Sequence, residues 1–253
     1  MSIKRIVVVS DCTDVAFVEM RSSIFRAAEA YNPDANIRIE PLVPVQPFSV
    51  LNAGFMVRLV AEISTPDTMI MFIMNSIQER TERIIGRTEN GFVFEGTNTG
   101  AAGWLVDEFG VAECYEVHDP GFVPFGGKFV HGPAVGQFAA GKPMSEIGKP
   151  FPADKIRRTL PTEGTIVHVD NFGNAKFPMR KQSFEYGDKL VVEVGGETFD
   201  AVYWKRMMEL EDGTWVVYPG SSFDLHEFGE VRGKGVLPYG VGAGHEITVK
   251  PAT

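Results

Sequence analysis

A carboxylate and a carboxamide stand four residues apart in the run Thr165–Met179, TIVHVDNFGNAKFPM. Asp170 and Asn174 flank Phe172-Gly173, and Gly and Asn both tolerate positive φ, so the run turns tightly there. A turn of that kind faces both side chains toward one small space, where they can bind the two hydroxyls of a ribose. The same pair can instead serve only its own backbone. A second carboxylate, Asp11, follows the apolar run Ile6–Val9. It is either a cap for the next helix, together with Asp14, or a ligand for the ribose or amino-acid part of a substrate.

These groups need elements to hold them. Ile6–Val9 predicts a strand buried on both faces, and Ser10-Asp11 lies at its carboxyl end, where open α/β sheets collect ligands. Helical spacing predicts a helix from about Val15 to Tyr31, capped by Asp14 or Thr13 and ended by Asn32-Pro33-Asp34. A second strand is expected over Ile37–Leu42, after which Pro41, Pro44 and Pro47 break regular structure. A helix is expected over Phe48–Ile63 and a buried strand over Thr68–Met74. Further strands are expected at Gly91–Glu95 and Cys114–Val117, with helices through Trp104-Leu105 and up to Ala140. Residues 151–163, rich in Pro and charge, read as a linker between a domain over 1–150 and a domain over 164–253. The later domain alternates apolar and polar residues over Lys189–Val194, Thr198–Trp204, Thr214–Val217 and Glu246–Lys250, which predicts a small antiparallel barrel or sandwich. The expected fold class is α/β: an N-terminal domain with a mostly parallel sheet flanked by helices, and a smaller all-β C-terminal domain. The six glycines between Gly229 and Gly244 predict irregular backbone, and they do not meet a dinucleotide fingerprint.

A strand ending in Asp-x-Phe-Gly-Asn that opens a second β-rich domain resembles the S-adenosyl-L-methionine hydroxide adenosyltransferases and their halide-using relatives, the fluorinases and chlorinases. The resemblance runs through most of the chain in order: Val9-Ser10-Asp11, Tyr31-Asn32-Pro33-Asp34-Ala35, Glu89-Asn90-Gly91, Asn98-Thr99-Gly100, Ala139-Ala140-Gly141-Lys142-Pro143 with Gly148, the Asp170–Asn174 turn, and Pro219-Gly220-Ser221. It implies substitution at the 5′ carbon of S-adenosylmethionine, with water giving adenosine and methionine or halide giving a halogenated nucleoside. In that reaction Asp11, Asp170 and Asn174 grip the ribose, with Phe172 in the same turn, and Phe48 is either a stacking surface for adenosine or an ordinary helix-start contact. Ser221 and Ser222 can hold the methionine carboxylate. The resemblance also implies a homotrimer whose sites lie between the first domain of one subunit and the second domain of its neighbour. No cofactor or metal is expected.

The chain departs from the hydrolase pattern where the chemistry would be done. Asn75 stands where those enzymes carry an Asp, their Pro-Gly-x-Gly loop is missing, and Arg83, with Arg80 as the alternative, falls near their arginine. Their catalytic His is replaced by Gly126, and His131, five residues on, is a substitute if it reaches back. Asn75, Arg83 and His131 are therefore the candidate catalytic residues. Three readings stay open: a hydrolase with a rearranged site, a relative using another nucleophile or nucleoside, and a binding protein that does not turn over.

Composition narrows the classes. There are 24 basic and 33 acidic residues, a formal charge of -9, with no basic cluster, which argues against nucleic-acid partners. Cys12 and Cys114 are the two cysteines and lack metal-ligand spacing. Without a disulfide framework, signal segment or membrane-length apolar run, the expectation is a cytoplasmic protein with a small nucleoside substrate and no membrane partner.

Overall fold

Arg5–Ser10 forms β1, and its Ile and Val side chains point alternately to both sides of a sheet, so each side has to be covered. In this computed structural model, which describes residues 3–74, 81–180 and 184–252, the cover is supplied by helices on both faces. The chain divides into two units, Met1–Leu160 and Pro161–Thr253.

In the first unit β1 is followed by α1 (Val15–Tyr31), β2 (Arg38–Ile39), β3 (Val43–Pro44), α2 (Val50–Ile63), β4 (Thr68–Ile73), β5 (Arg83–Arg87), β6 (Val93–Thr97), α3 (Gly103–Phe109) and β7 (Glu113–Val117). A π-helical turn, Gly127–His131, runs into α4 (Gly132–Ala139), and α5 (Met144–Ile147) and β8 (Gly148–Pro150) complete it. Among the described residues the sheet has the order β2-β1-β4-β6-β5-β7-β8, with β3 also paired to β1. Pairing is parallel from β2 to β6 and antiparallel from β6 to β8, so the parallel part is smaller than a mostly parallel sheet. Ile6, Val8, Met71 and Val93 pack toward α1 and α4 through Met20, Ile24 and Val135. Val9, Ile70, Phe72 and Phe94 pack toward α2 and α3 through Ala53, Val57 and Leu105. The mixed α/β class expected from the sequence is thus present.

Several boundaries move for identifiable reasons. Asp14 caps α1, accepting from the Ala16 N–H at 2.9 Å. Ser49 caps α2, so Phe48 stands outside that helix rather than at its start. The proline-rich stretch still holds a short strand, because Pro44 sits opposite Ser10 on an edge where no N–H is required. Much of the expected linker belongs to the first unit: Phe151 N–H donates to the Cys114 carbonyl at 2.9 Å and Ile156 is buried in the α2/α3 core.

The second unit comprises β9 (His168–Val169), β10 (Ala175–Phe177), β11 (Lys189–Val194), β12 (Glu197–Tyr203), β13 (Trp215–Pro219), β14 (His226–Glu230) and β15 (Ile247–Pro251). Their order is β15-β11-β12-β13-β14-β10-β9. Backbone bonds Ile166 N–H to His245 O (2.9 Å) and Ile247 N–H to Gly164 O (2.7 Å) join the segments leading into the two outermost strands. Ala175, Phe177, Val192, Val217 and Phe228 form its core. No helix among the described residues is long and apolar enough to cross a membrane.

Candidate active site

Two neighbouring strands of the first unit set the site. After β1 the chain first adds β2 and β3 on one side and then β4 on the other. In open α/β sheets a reversal of this kind marks the ligand crevice, which here falls at the carboxyl ends of β1 and β4. The Ser10 hydroxyl ties the two ends together by donating to the Ile73 carbonyl at 2.8 Å, and it accepts from the Cys12 N–H at 3.1 Å. Asp11 therefore projects at the crevice. Its Oδ2 accepts the Phe48 N–H at 3.0 Å and its Oδ1 lies 3.9 Å from the Cys12 thiol. Phe48 has φ 61° and is 68% exposed. A bulky residue in the left-handed region costs about 1 kcal/mol or more. The carboxylate of Asp11 holds that backbone in place, so two residues singled out in the sequence meet, and the aromatic ring stands in solvent beside the crevice.

A second cluster lies along the same edge. β4 and β6 are parallel, and Arg83, which starts the antiparallel β5, is in register with Thr97 at the end of β6. β6 is two positions from β1, roughly 10 Å away at sheet spacing. The Arg83 side chain is 13% exposed, and its Nη1 is 3.1 Å from Asp119 Oδ1 without hydrogen-bond alignment. Gly126 packs against it: a Cβ on Gly126 would lie 3.4 Å from Arg83 Nη2 and 3.6 Å from His131 Cδ2. The π-turn explains the second contact, because an i to i+5 turn stacks residues five apart. His131 reaches back beside Gly126 in this way. Ser23 of α1 fastens the turn by donating to the Lys128 carbonyl at 2.6 Å.

His131 Nδ1 is 2.6 Å from Glu95 Oε1, and its Nε2 is 3.3 Å from the Thr97 hydroxyl. Glu95 is wholly buried, and its Oε2 has no hydrogen-bond partner among the described residues. Burial pushes the Glu95 carboxyl above the usual carboxylate range, and the neighbouring His131 and Arg83 oppose that rise without cancelling it. Neither Glu95 nor Thr97 is singled out by the motifs. The available signal is a carboxylate directly after the apolar run Phe92-Val93-Phe94, which a fully buried strand accepts only with a partner. Asn75 and Arg80 lie outside the described residues. Among the described residues no group of three or more His, Cys, Asp or Glu side chains could hold a metal ion. The hollow between α1 and the π-turn, lined by Val18, Ser22, Arg26 and Phe129 among others, includes none of Asp11, Phe48, Arg83, Glu95, Thr97 or His131.

In the second unit Asp170 is occupied by its own turn. Oδ1 accepts the N–H groups of Phe172 and Asn174, both at 2.9 Å, and Oδ2 accepts the Asn174 side-chain amide at 2.9 Å. Gly173 is required: φ is 85° and a Cβ would meet the Lys234 carbonyl at 2.0 Å. Phe172 is 66% exposed. Ser221 is exposed, whereas Ser222 is buried and its carbonyl accepts the Leu225 N–H at 2.9 Å. Behind the turn, Glu227 takes Lys176 on Oε1 and the Tyr218 hydroxyl on Oε2, the latter at 2.7 Å.

No protein-family model matches the chain. No curated protein matches it. Solved structures do. An uncharacterized conserved protein from Thermotoga maritima is 22% identical, with a TM-score of 0.79 over 97% of this chain and 100% of that one. A conserved hypothetical protein from Thermus thermophilus is 19% identical, with a TM-score of 0.75 over 98% of this chain and 100% of that one. At such identity the likeness shows a shared fold.

Proposed function

We propose that the protein binds S-adenosyl-L-methionine and substitutes at its 5′ carbon, with water as nucleophile, releasing adenosine and L-methionine. The observation that carries this reading is the meeting of Arg83, Gly126 and His131 on the same sheet edge as Asp11 and Phe48. The sequence resemblance names these positions independently of their placement in space.

The chemistry asks little of the protein beyond placement. The water oxygen bonds to the 5′ carbon, the carbon–sulfur bond breaks, and its electron pair leaves on sulfur as neutral methionine. The sulfonium is already an activated leaving group, so binding, orientation and exclusion of bulk water supply most of the rate. In this reading Phe48 covers a face of the adenine and Asp11 accepts from the ribose. Asp170 and Asn174, at the mouth of a small C-terminal barrel of a neighbouring copy, hold the ribose from the other side, and Ser221 holds the methionine carboxylate. The assembly is then a trimer of cytoplasmic chains. Arg83, near the position of the hydrolases' arginine, and His131, in place of their His, surround the nucleophile.

Incubation of the pure protein with S-adenosylmethionine, followed by chromatography, tests the proposal. Stoichiometric adenosine and methionine are expected. A halogenated nucleoside formed only with added halide would assign the nucleophile instead to halide. Calorimetric binding of S-adenosylmethionine without product would leave a binding protein and overturn the catalytic reading.

A further inference from the structure

Glu95 and Thr97 are two apart on β6, so both side chains leave the same face of the sheet, the one covered by α1 and α4. His131, at the end of the π-turn, lies over that face and touches both: 2.6 Å from its Nδ1 to Glu95 and 3.3 Å from its Nε2 to Thr97. The arrangement is a carboxylate, an imidazole and a hydroxyl in line. Glu95 and His131 are buried, at 0% and 2% exposure, while Thr97 is only half-buried, at the carboxyl end of β6. The line therefore runs from the interior to the edge where Arg83 and Asp11 stand.

We propose that Thr97, His131 and Glu95 form a proton relay, with Thr97 as the catalytic residue that meets the attacking water and Glu95 as the positioning residue for His131. The inference rests on the hydrolytic reading above. As the water oxygen bonds to the 5′ carbon, its proton passes to Thr97 Oγ1 and the Thr97 proton passes to His131 Nε2. The imidazolium that forms is held by the Glu95 carboxylate, and the proton later returns to solvent by the same path. The electron pair of the broken carbon–sulfur bond stays on methionine, so the step balances with water as the only co-reactant. A carboxylate bound to Nδ1–H fixes the tautomer in which Nε2 is free to accept, the logic shared by hydroxyl–imidazole–carboxylate triads on unrelated folds.

Two observations separate a relay from a structural ion pair. Among the described residues Oε2 of Glu95 has no hydrogen-bond partner, whereas a closed buried pair satisfies both oxygens. Among the described residues, the charged groups placed beside the ring come from β5 and β6. Arg83 comes from β5 with Asp119 paired to it, and Glu95 comes from β6. Lys128 of the π-turn is paired with Glu19 of α1 at 2.6 Å. Besides that pair, the neutral Met20 and Ser23 of α1 lie against Gly127 of the π-turn and Gly132 at the start of α4.

The first test does not depend on turnover. In protein labelled with ¹⁵N-histidine, five imidazoles report, and His131→Gln identifies the signal of interest by subtraction. The relay predicts the Nδ1–H tautomer for His131, with a strongly downfield Nδ1 proton that moves upfield in Glu95→Gln. An Nε2–H tautomer, with bare Nδ1 accepting from a protonated Glu95, would overturn the relay whatever the protein's activity. The second test is kinetic: Thr97→Val lowers kcat about 100-fold or more with KM within about threefold, and Thr97→Ser restores kcat to within about tenfold of the native chain. Unchanged kcat in Thr97→Val, in a protein that releases adenosine, overturns the relay and leaves the hydrolase. A native chain that releases no adenosine removes the hydrolytic reading, and with it the catalytic role of Thr97.

Discussion

Glu95 and Glu227 are both buried carboxylates on strands, one in each unit, and they are treated differently. Glu227 is closed: Lys176 occupies one oxygen and the Tyr218 hydroxyl the other. Glu95 is open: one oxygen meets His131 and the other has no hydrogen-bond partner among the described residues. A closed array has spent its hydrogen-bonding capacity on the fold. An open one, beside an arginine at a sheet edge, retains capacity for a substrate or a water molecule. The Asp170 turn falls with Glu227, because its carboxylate is filled by two backbone N–H groups and an amide. Its expected ribose contact must therefore use remaining lone pairs, whereas the first unit presents groups with free positions.

The contrast can be sharpened by substitutions on each side of it. The largest effect is expected for His131→Gln, which removes the imidazole between Glu95 and Thr97; adenosine release should fall by at least about 100-fold. Next comes Lys176→Met, which leaves the Glu227 carboxylate buried with only Tyr218. Breaking a buried pair from one side costs about 3 kcal/mol, seen as a lower denaturant midpoint, and Lys176→Met with Glu227→Leu should recover much of it. Asp170→Ala removes the acceptor for two N–H groups and should cost about 1–2 kcal/mol. A KM for S-adenosylmethionine that also rises tenfold would show that the turn does bind ribose; a change in stability alone would confine Asp170 to the fold.

The smallest effect is a pH dependence of stability. Burial holds the imidazoles of His168 and His226 below their ordinary value, with the Lys176 ammonium adding to the effect at His168. The unfolded chain therefore binds protons more readily there, and stability should decline as pH falls from about 6.5 through the lower folded-state values. Urea melts of His168→Gln should show a weaker decline over that window.

How much of this is legible in the sequence follows from which forces are local. The β1 strand, α1 with its Asp14 cap, and the tight turn at Gly173 are written in short runs, because apolar alternation, capping and positive φ act within a few residues. The motifs do not predict β5, because Arg83-Ile84-Ile85-Gly86-Arg87 is brief and its pairing with β6 and β7 is a tertiary fact. Spacing to Gly126 points to His131 but not to its partner. Glu95 is 36 residues away in the chain, and only the sheet brings it beneath the π-turn. The strain at Phe48 is equally hidden, since Phe gives no sign of positive φ; Asp11, 37 residues earlier, imposes it.

The claim on which the account turns is that the open cluster at the edge of the first sheet does chemistry. The most direct measurement is the rate of adenosine release from S-adenosylmethionine by Arg83→Ala, normalised to folded protein. A drop of about 100-fold or more with an unchanged melting temperature is the predicted result. Release at the native rate would contradict it and return Arg83, with its Asp119 pair, to the ordinary structure of the fold.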